Sequence, residues 1–95
     1  MHVISRRRLK EAALRHPELE TALDAWFRIA KKAPWQNLMV VRKTFARADA
    51  VGKWTVFNVK GNKYRLITEI NYKFQRLYVR NVVTHAEYDQ EKWKQ

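Results

Sequence analysis

From Lys53 to Val83 the chain runs through three successive stretches whose side chains alternate in character, and nothing else in it limits the fold as strongly. Lys53–Lys60 reads as a strand with Trp54 and Val56 on one face and Phe57 and Val59 on the other. Gly61-Asn62 follows, a pair that tolerates positive φ and marks a hairpin turn. Tyr64, Leu66, Thr68, Ile70 and Tyr72 then alternate against Lys63, Arg65, Ile67, Glu69 and Asn71. A turn at Lys73-Phe74 leads into Gln75–Val83, a third strand rich in β-branched and aromatic residues. Strands joined by turns this short run antiparallel, and their apolar face needs a cover.

The N-terminal half supplies that cover. His2–Ile4 is expected to form a short edge strand. A basic helix follows, with Ser5 as N-cap, Arg6, Arg7, Arg8, Lys10 and Arg15 along it, and Leu9, Ala12, Ala13 and Leu14 as a thin apolar stripe. His16-Pro17 breaks it, because proline suits a first turn but not a helix interior. From Pro17 to Lys32, Leu19, Ala22, Leu23, Trp26, Ile29, Ala30 and Ala33 recur at spacings of three and four, which puts them on one helix face until Pro34 ends it. Leu38–Val41 is read as a strand and Thr44–Val51 as a polar loop or helical turn. Thr84–Gln95 is read as a short helix or turn. With no repeat or linker, residues 1–95 make one α+β domain: two antiparallel helices packed on a twisted, mainly antiparallel sheet.

Charge points to the partner. Twenty Lys and Arg face nine Asp and Glu, a formal net charge of +11. Self-repulsion on that scale opposes folding and is usually kept for a polyanion, nucleic acid ahead of an acidic protein or a membrane. The chain has no cysteine, which excludes disulfides, thiolate zinc sites and cysteine nucleophiles. Its acidic residues are scattered rather than set at ligand spacing, so neither a metal nor another cofactor is expected. No apolar run approaches the ~20 residues of a membrane span, and no signal-peptide core is visible, so a cytoplasmic protein is expected.

Two long motifs then carry a family resemblance. Val56-Phe57-Asn58-Val59-Lys60-Gly61-Asn62-Lys63-Tyr64-Arg65-Leu66-Ile67 resembles the signature of HigB-type toxins, within the RelE-like group of type II toxin–antitoxin systems. Tyr78-Val79-Arg80-Asn81-Val82-Val83-Thr84-His85-Ala86-Glu87-Tyr88-Asp89 is similar to the closing motif of the same family, and Trp35 and Ala48-Asp49 also fit. The resemblance implies a RelE-like fold and cleavage of mRNA on the translating ribosome, held in check by a HigA-type antitoxin with a helix-turn-helix domain.

Cleaving RNA without a metal requires a base for the 2′-hydroxyl proton, cations for the phosphorane and an acid for the departing 5′-oxygen. The resemblance places an arginine of this strand on the scissile phosphate, so Arg65 is assigned to phosphorane stabilisation; a guanidinium fork can serve two phosphate oxygens. His85 is the histidine inside a family motif, and histidine is the side chain best suited to acid or base work near neutral pH. Tyr88 is the third catalytic candidate, by stacking on a base or orienting the phosphate, with Asp89 able to orient a neighbouring cation. Lys60, Lys63, Arg80 and the run Arg6, Arg7, Arg8 are candidate RNA contacts, Arg80 joining Arg65 if the strand register allows. His2 and His16 are read as incidental. The plain readings are a solvated charge for Arg65, a turn-fixing hydrogen-bonder for His85 and a C-terminal anchor for Tyr88. The rival functions are a non-catalytic basic RNA-binding module and a basic partner for an acidic protein.

Overall fold

The computed structural model describes residues 1–94. In chain order it holds β1 (His2–Ile4), α1 (Arg7–Arg15), a 3-10 turn at Pro17–Leu19, α2 (Glu20–Lys32), α3 (Leu38–Thr44) and β2 (Asp49–Val51). Then come β3 (Trp54–Val59), β4 (Tyr64–Asn71), β5 (Arg76–Thr84), α4 (His85–Asp89) and a second 3-10 turn at Lys92–Lys94. The strands form one sheet in the order β1-β5-β4-β3-β2, antiparallel throughout except for β1, which pairs with β5 in parallel. This is the α+β architecture expected from the alternation and the helical stripes.

One sheet face meets the helices. Phe57, Val59, Tyr64, Leu66, Leu77, Val79 and Val82 are buried there with Leu9 and Ala12 of α1 and Leu23, Trp26 and Ala30 of α2. Phe57 sits at the centre, with Trp26 and Phe45 against it edge-on at 5.4 Å between ring centroids and Trp35 stacked at 6.0 Å. Burying rings of this size supplies much of the driving force for the fold. The other face is thin: Val56, Ile67 and Val83 are buried beneath Val51, Trp54, Tyr88 and Trp93.

Several local expectations change. Leu38–Val41 is the start of helix α3, not a strand. Asn37 decides it, as its side-chain oxygen accepts a hydrogen bond from the Val40 amide at 3.0 Å and caps the helix. Part of the expected loop that follows is strand β2, which Arg42 fastens by donating from Nε to the Ala48 carbonyl at 2.8 Å and pairing with Asp49 at 3.1 Å. Ser5 is not the cap of α1. It adopts φ 69° one residue earlier, and Arg6 holds the cap position without a side-chain bond. Leu14 and Ile29 leave their stripes for solvent, 82% and 41% exposed. In the hairpin, Val59 and Tyr64 close a four-residue loop in which Lys60 and Gly61, not Gly61 and Asn62, take positive φ.

Candidate functional site

The register of the sheet brings two distant segments to one end of the molecule. Tyr64, just past the hairpin loop, pairs with Thr84, where β5 gives way to α4. The His85 amide donates to the Lys63 carbonyl at 2.9 Å, tying the loop to the helix start. Thr84 caps α4: its hydroxyl accepts from the Glu87 amide at 3.2 Å while Glu87 Oε1 accepts from the Thr84 amide at 2.9 Å. The Thr84 N–H holds the Glu87 carboxyl below its ordinary value. This cap fixes His85 as the first helical residue and puts Asp89 one turn on, over the same face. His85 Nδ1 lies 3.0 Å from Asp89 Oδ2, with the two side chains 46% and 61% exposed. The ring therefore turns Nδ1 toward the carboxylate, which leaves Nε2 as the nitrogen not engaged by Asp89.

Arg65 lies on β4 on the face away from the helices, and it is not a solvated charge. It is 9% exposed, and its Nη1 donates to the carbonyls of Asn62 and Tyr64, each at 3.1 Å, while Nη2 donates to Asn62 Oδ1 at 2.6 Å. Burying a cation is tolerable here because these oxygens replace its water. Three bonds still leave N–H groups among the five that a guanidinium carries. The Tyr88 ring lies 5.5 Å from Arg65 Cζ. Tyr88 also stacks on Trp93 at 5.0 Å with planes 8° apart, and its carbonyl accepts from Trp93 Nε1 at 2.8 Å. Trp93 in turn meets Trp54 edge-on at 5.3 Å. Tyr88 thus anchors the C-terminal segment to the sheet and touches Arg65 with the same ring.

The segments carrying Lys63, Arg65, His85, Tyr88 and Asp89 therefore meet at one end of the sheet, with Arg65 against Tyr88, His85 against Asp89, and Lys63 joined to His85 through the backbone. Lys60 stands at the margin of the group, exposed, with Nζ donating to the Glu18 carbonyl at 3.2 Å. Arg80 does not join Arg65. Ile67 pairs with Asn81 and Thr68 with Val79, so Arg80 is the extra residue of a bulge. Its Nε donates to Glu69 at 3.0 Å, four residues along the strand from Arg65. Arg6, Arg7 and Arg8 diverge, since successive helical residues point about 100° apart. Arg6 lies over the Phe27 ring at 4.1 Å, Arg7 pairs with Glu11 at 3.6 Å, and Arg8 donates to the Arg80 carbonyl.

One group went unread in the sequence. The Tyr64 hydroxyl donates to the Glu18 carboxylate and lies 3.5 Å from His16 Nδ1, the two rings 5.1 Å apart. The bond from Tyr64 holds the Glu18 carboxyl below its ordinary value, and the same bond raises the Tyr64 phenol. These residues bind the first 3-10 turn to the sheet beside the hairpin. They lie 46 and 48 residues apart, so no local pattern announces them.

Chemically, the cluster offers a carboxylate-held histidine open to solvent, an exposed lysine and a fixed guanidinium on a strongly basic molecule. That set suits proton transfer at an anionic phosphodiester.

Residues 19–91 match the family model described as HigB_toxin, the RelE-like toxic component of a toxin–antitoxin system. The chain is 34% identical over 92 residues to the mRNA interferase HigB of Escherichia coli O6:H1, an alignment covering 94% of this chain and 89% of that protein. It is likewise 34% identical over 92 residues to the mRNA interferase toxin HigB of Escherichia coli K12 and to the mRNA interferase HigB of Shigella flexneri, covering 94% of this chain and 88% of each.

Proposed function

Since this chain belongs to the HigB family of RelE-like toxins, we propose that it is an mRNA endonuclease that arrests translation without a metal ion. The pairing of His85 with Asp89 at 3.0 Å, at the end of the sheet where the His85 amide is tied to the Lys63 carbonyl, carries this reading. In the reaction the 2′-hydroxyl oxygen bonds to phosphorus as its proton leaves, and the bond from phosphorus to the 5′-oxygen breaks as that oxygen gains a proton. The products are a 2′,3′-cyclic phosphate and a 5′-hydroxyl. His85 moves one of these protons through Nε2, with Asp89 fixing the tautomer. Arg65 stabilises the phosphorane with the N–H groups its loop leaves over, and Tyr88 acts by holding that guanidinium in place. Lys63 and Lys60 grip the flanking phosphates. Arg80 and the Arg6–Arg8 run lie outside the cluster and serve as longer-range contacts to the polyanion. The formal charge of +11 supports a polyanionic substrate, and the family supports action on the translating ribosome in the cytoplasm with a HigA-type helix-turn-helix antitoxin as the restraint.

The test is induction in a bacterial host lacking the antitoxin, with mRNA 5′ ends mapped for the parent, His85→Ala and Arg65→Lys. New ends inside coding regions are expected for the parent. His85→Ala should reduce them by about 10²–10⁴-fold while RNA binding and melting temperature stay near the parent's. Arg65→Lys keeps the charge but loses the fork, so cleavage should fall while binding persists. Cleavage of naked transcripts against transcripts under translation decides whether the ribosome is required. Intact mRNA in the presence of abundant folded parent would sink the nuclease and leave the RNA-binding module.

A further inference from the structure

The apolar stripe of α2 is wider than the core beneath it. By spacing Ile29 belongs to that stripe, yet it is 41% exposed. It lines a groove of about 600 Å³ between the C-terminal half of α2 and helix α3, with Trp35 and Val40 among its apolar walls. Arg28, Lys32 and Lys43 stand on the rim, and none of the lining residues is acidic. Arg28 pairs with Asp24 at 2.8 Å, whereas Lys32 and Lys43 form no ion pair among the described residues.

An apolar channel with an all-cationic rim selects a partner that is apolar and acidic at once. A phosphodiester chain would meet the rim charges but not the channel, and the one tryptophan there is 1% exposed and offers no face for a base to stack on. A protein segment with an apolar side chain flanked by Asp or Glu satisfies both features. We propose that this groove receives such a segment of the antitoxin. The proposal rests on the toxin–antitoxin reading, but not on which residues cleave RNA. Helix α2 has 13 residues and is about 20 Å long. The groove lies toward its C-terminal end and the His85 cluster beside the turn that precedes its N-terminus. The groove therefore anchors the antitoxin away from His85 rather than plugging the site.

The deciding measurement is calorimetric titration of the toxin with the antitoxin of its own pair, for the parent, Ile29→Asp and the double variant Lys32→Glu/Lys43→Glu. Each variant should bind at least about 10-fold more weakly, and the double variant should also lose much of the salt dependence. RNA cleavage and melting temperature should stay at the parent's values. Unchanged antitoxin affinity in both folded variants would overturn the proposal. So would loss of RNA binding with antitoxin affinity intact, which would make this rim an RNA contact. A parent that cleaves RNA yet binds no antitoxin would remove the pairing itself and the groove's role with it.

Discussion

On the helix-covered face of the sheet Phe57, Leu66, Leu77 and Val79 are fully buried under two helices, whereas on the opposite face Val56, Ile67 and Val83 are covered only by Val51, Trp54, Trp93 and Tyr88 of the five-residue α4. The covered face carries the fold. The thin face carries Arg65, and His85 and Asp89 stand where its cover begins. A histidine has to stay open to solvent to meet a substrate, and a deep apolar cover would bury it. What the comparison teaches is a division of labour: substitutions on one face should cost stability, and at the end of the other they should cost chemistry.

The largest expected effect breaks the covered side. Leu66→Ala removes a fully buried side chain, and should cost about 2–5 kcal/mol, a large part of what a domain this size has to lose. Urea unfolding would show it, and a loss under 1 kcal/mol would mean the two faces do not differ as described. Val83→Ala on the thin side should cost about 1–2 kcal/mol, from two methyl groups at about 0.8 kcal/mol each. A loss equal to that of Leu66→Ala would erase the contrast. Asp89→Asn should leave the unfolding midpoint within error, because its side chain is 61% exposed, while cleavage falls roughly 10-fold, about 1.4 kcal/mol of barrier. The smallest effect tests the tie between the faces' common end and the helices. The bond from Tyr64 lowers the Glu18 carboxyl from its ordinary 4.5, so the ionised form adds stability above that pH and the contribution is lost as pH falls below it. Glu18→Gln should therefore melt slightly earlier than the parent at pH 7 and together with it once the pH is low enough to protonate the carboxylate in the folded protein. A gap that persists in acid would show that the carboxylate charge is not what matters.

Strands β3, β4 and β5 were legible because alternation is a local property, and the Gly61-Asn62 signal placed the hairpin within one residue of its true turn, whereas β2 is too short to alternate visibly. Leu38-Met39-Val40-Val41 was misread because a short apolar run fits a strand or a helix equally, and the deciding residue, Asn37, lay just outside it. Leu14 and Ile29 were misplaced because spacing says which face a residue lies on, not how far the core extends. The two motifs carried the candidates Arg65, His85 and Tyr88, and the fold brings their segments to one end of the sheet. The divergence of Arg80 was not, since it depends on a bulge that no residue type marks. The tie of Tyr64 to Glu18 and His16 joins segments that meet only once the sheet is formed.

The order of the sheet also sets a clock. Strand β5 lies between β1 and β4, so the first strand made is paired by the last. Emerging from its own ribosome, the chain can form the β3–β4 hairpin and helix α2 early, but β1 has no neighbour and the sheet no second edge until Arg76–Thr84 has been synthesised. Long-range pairing of this kind forms late. His85 and Asp89 come later still, so a nascent molecule carries neither a finished sheet nor the His85–Asp89 pair, and the candidate site is assembled last.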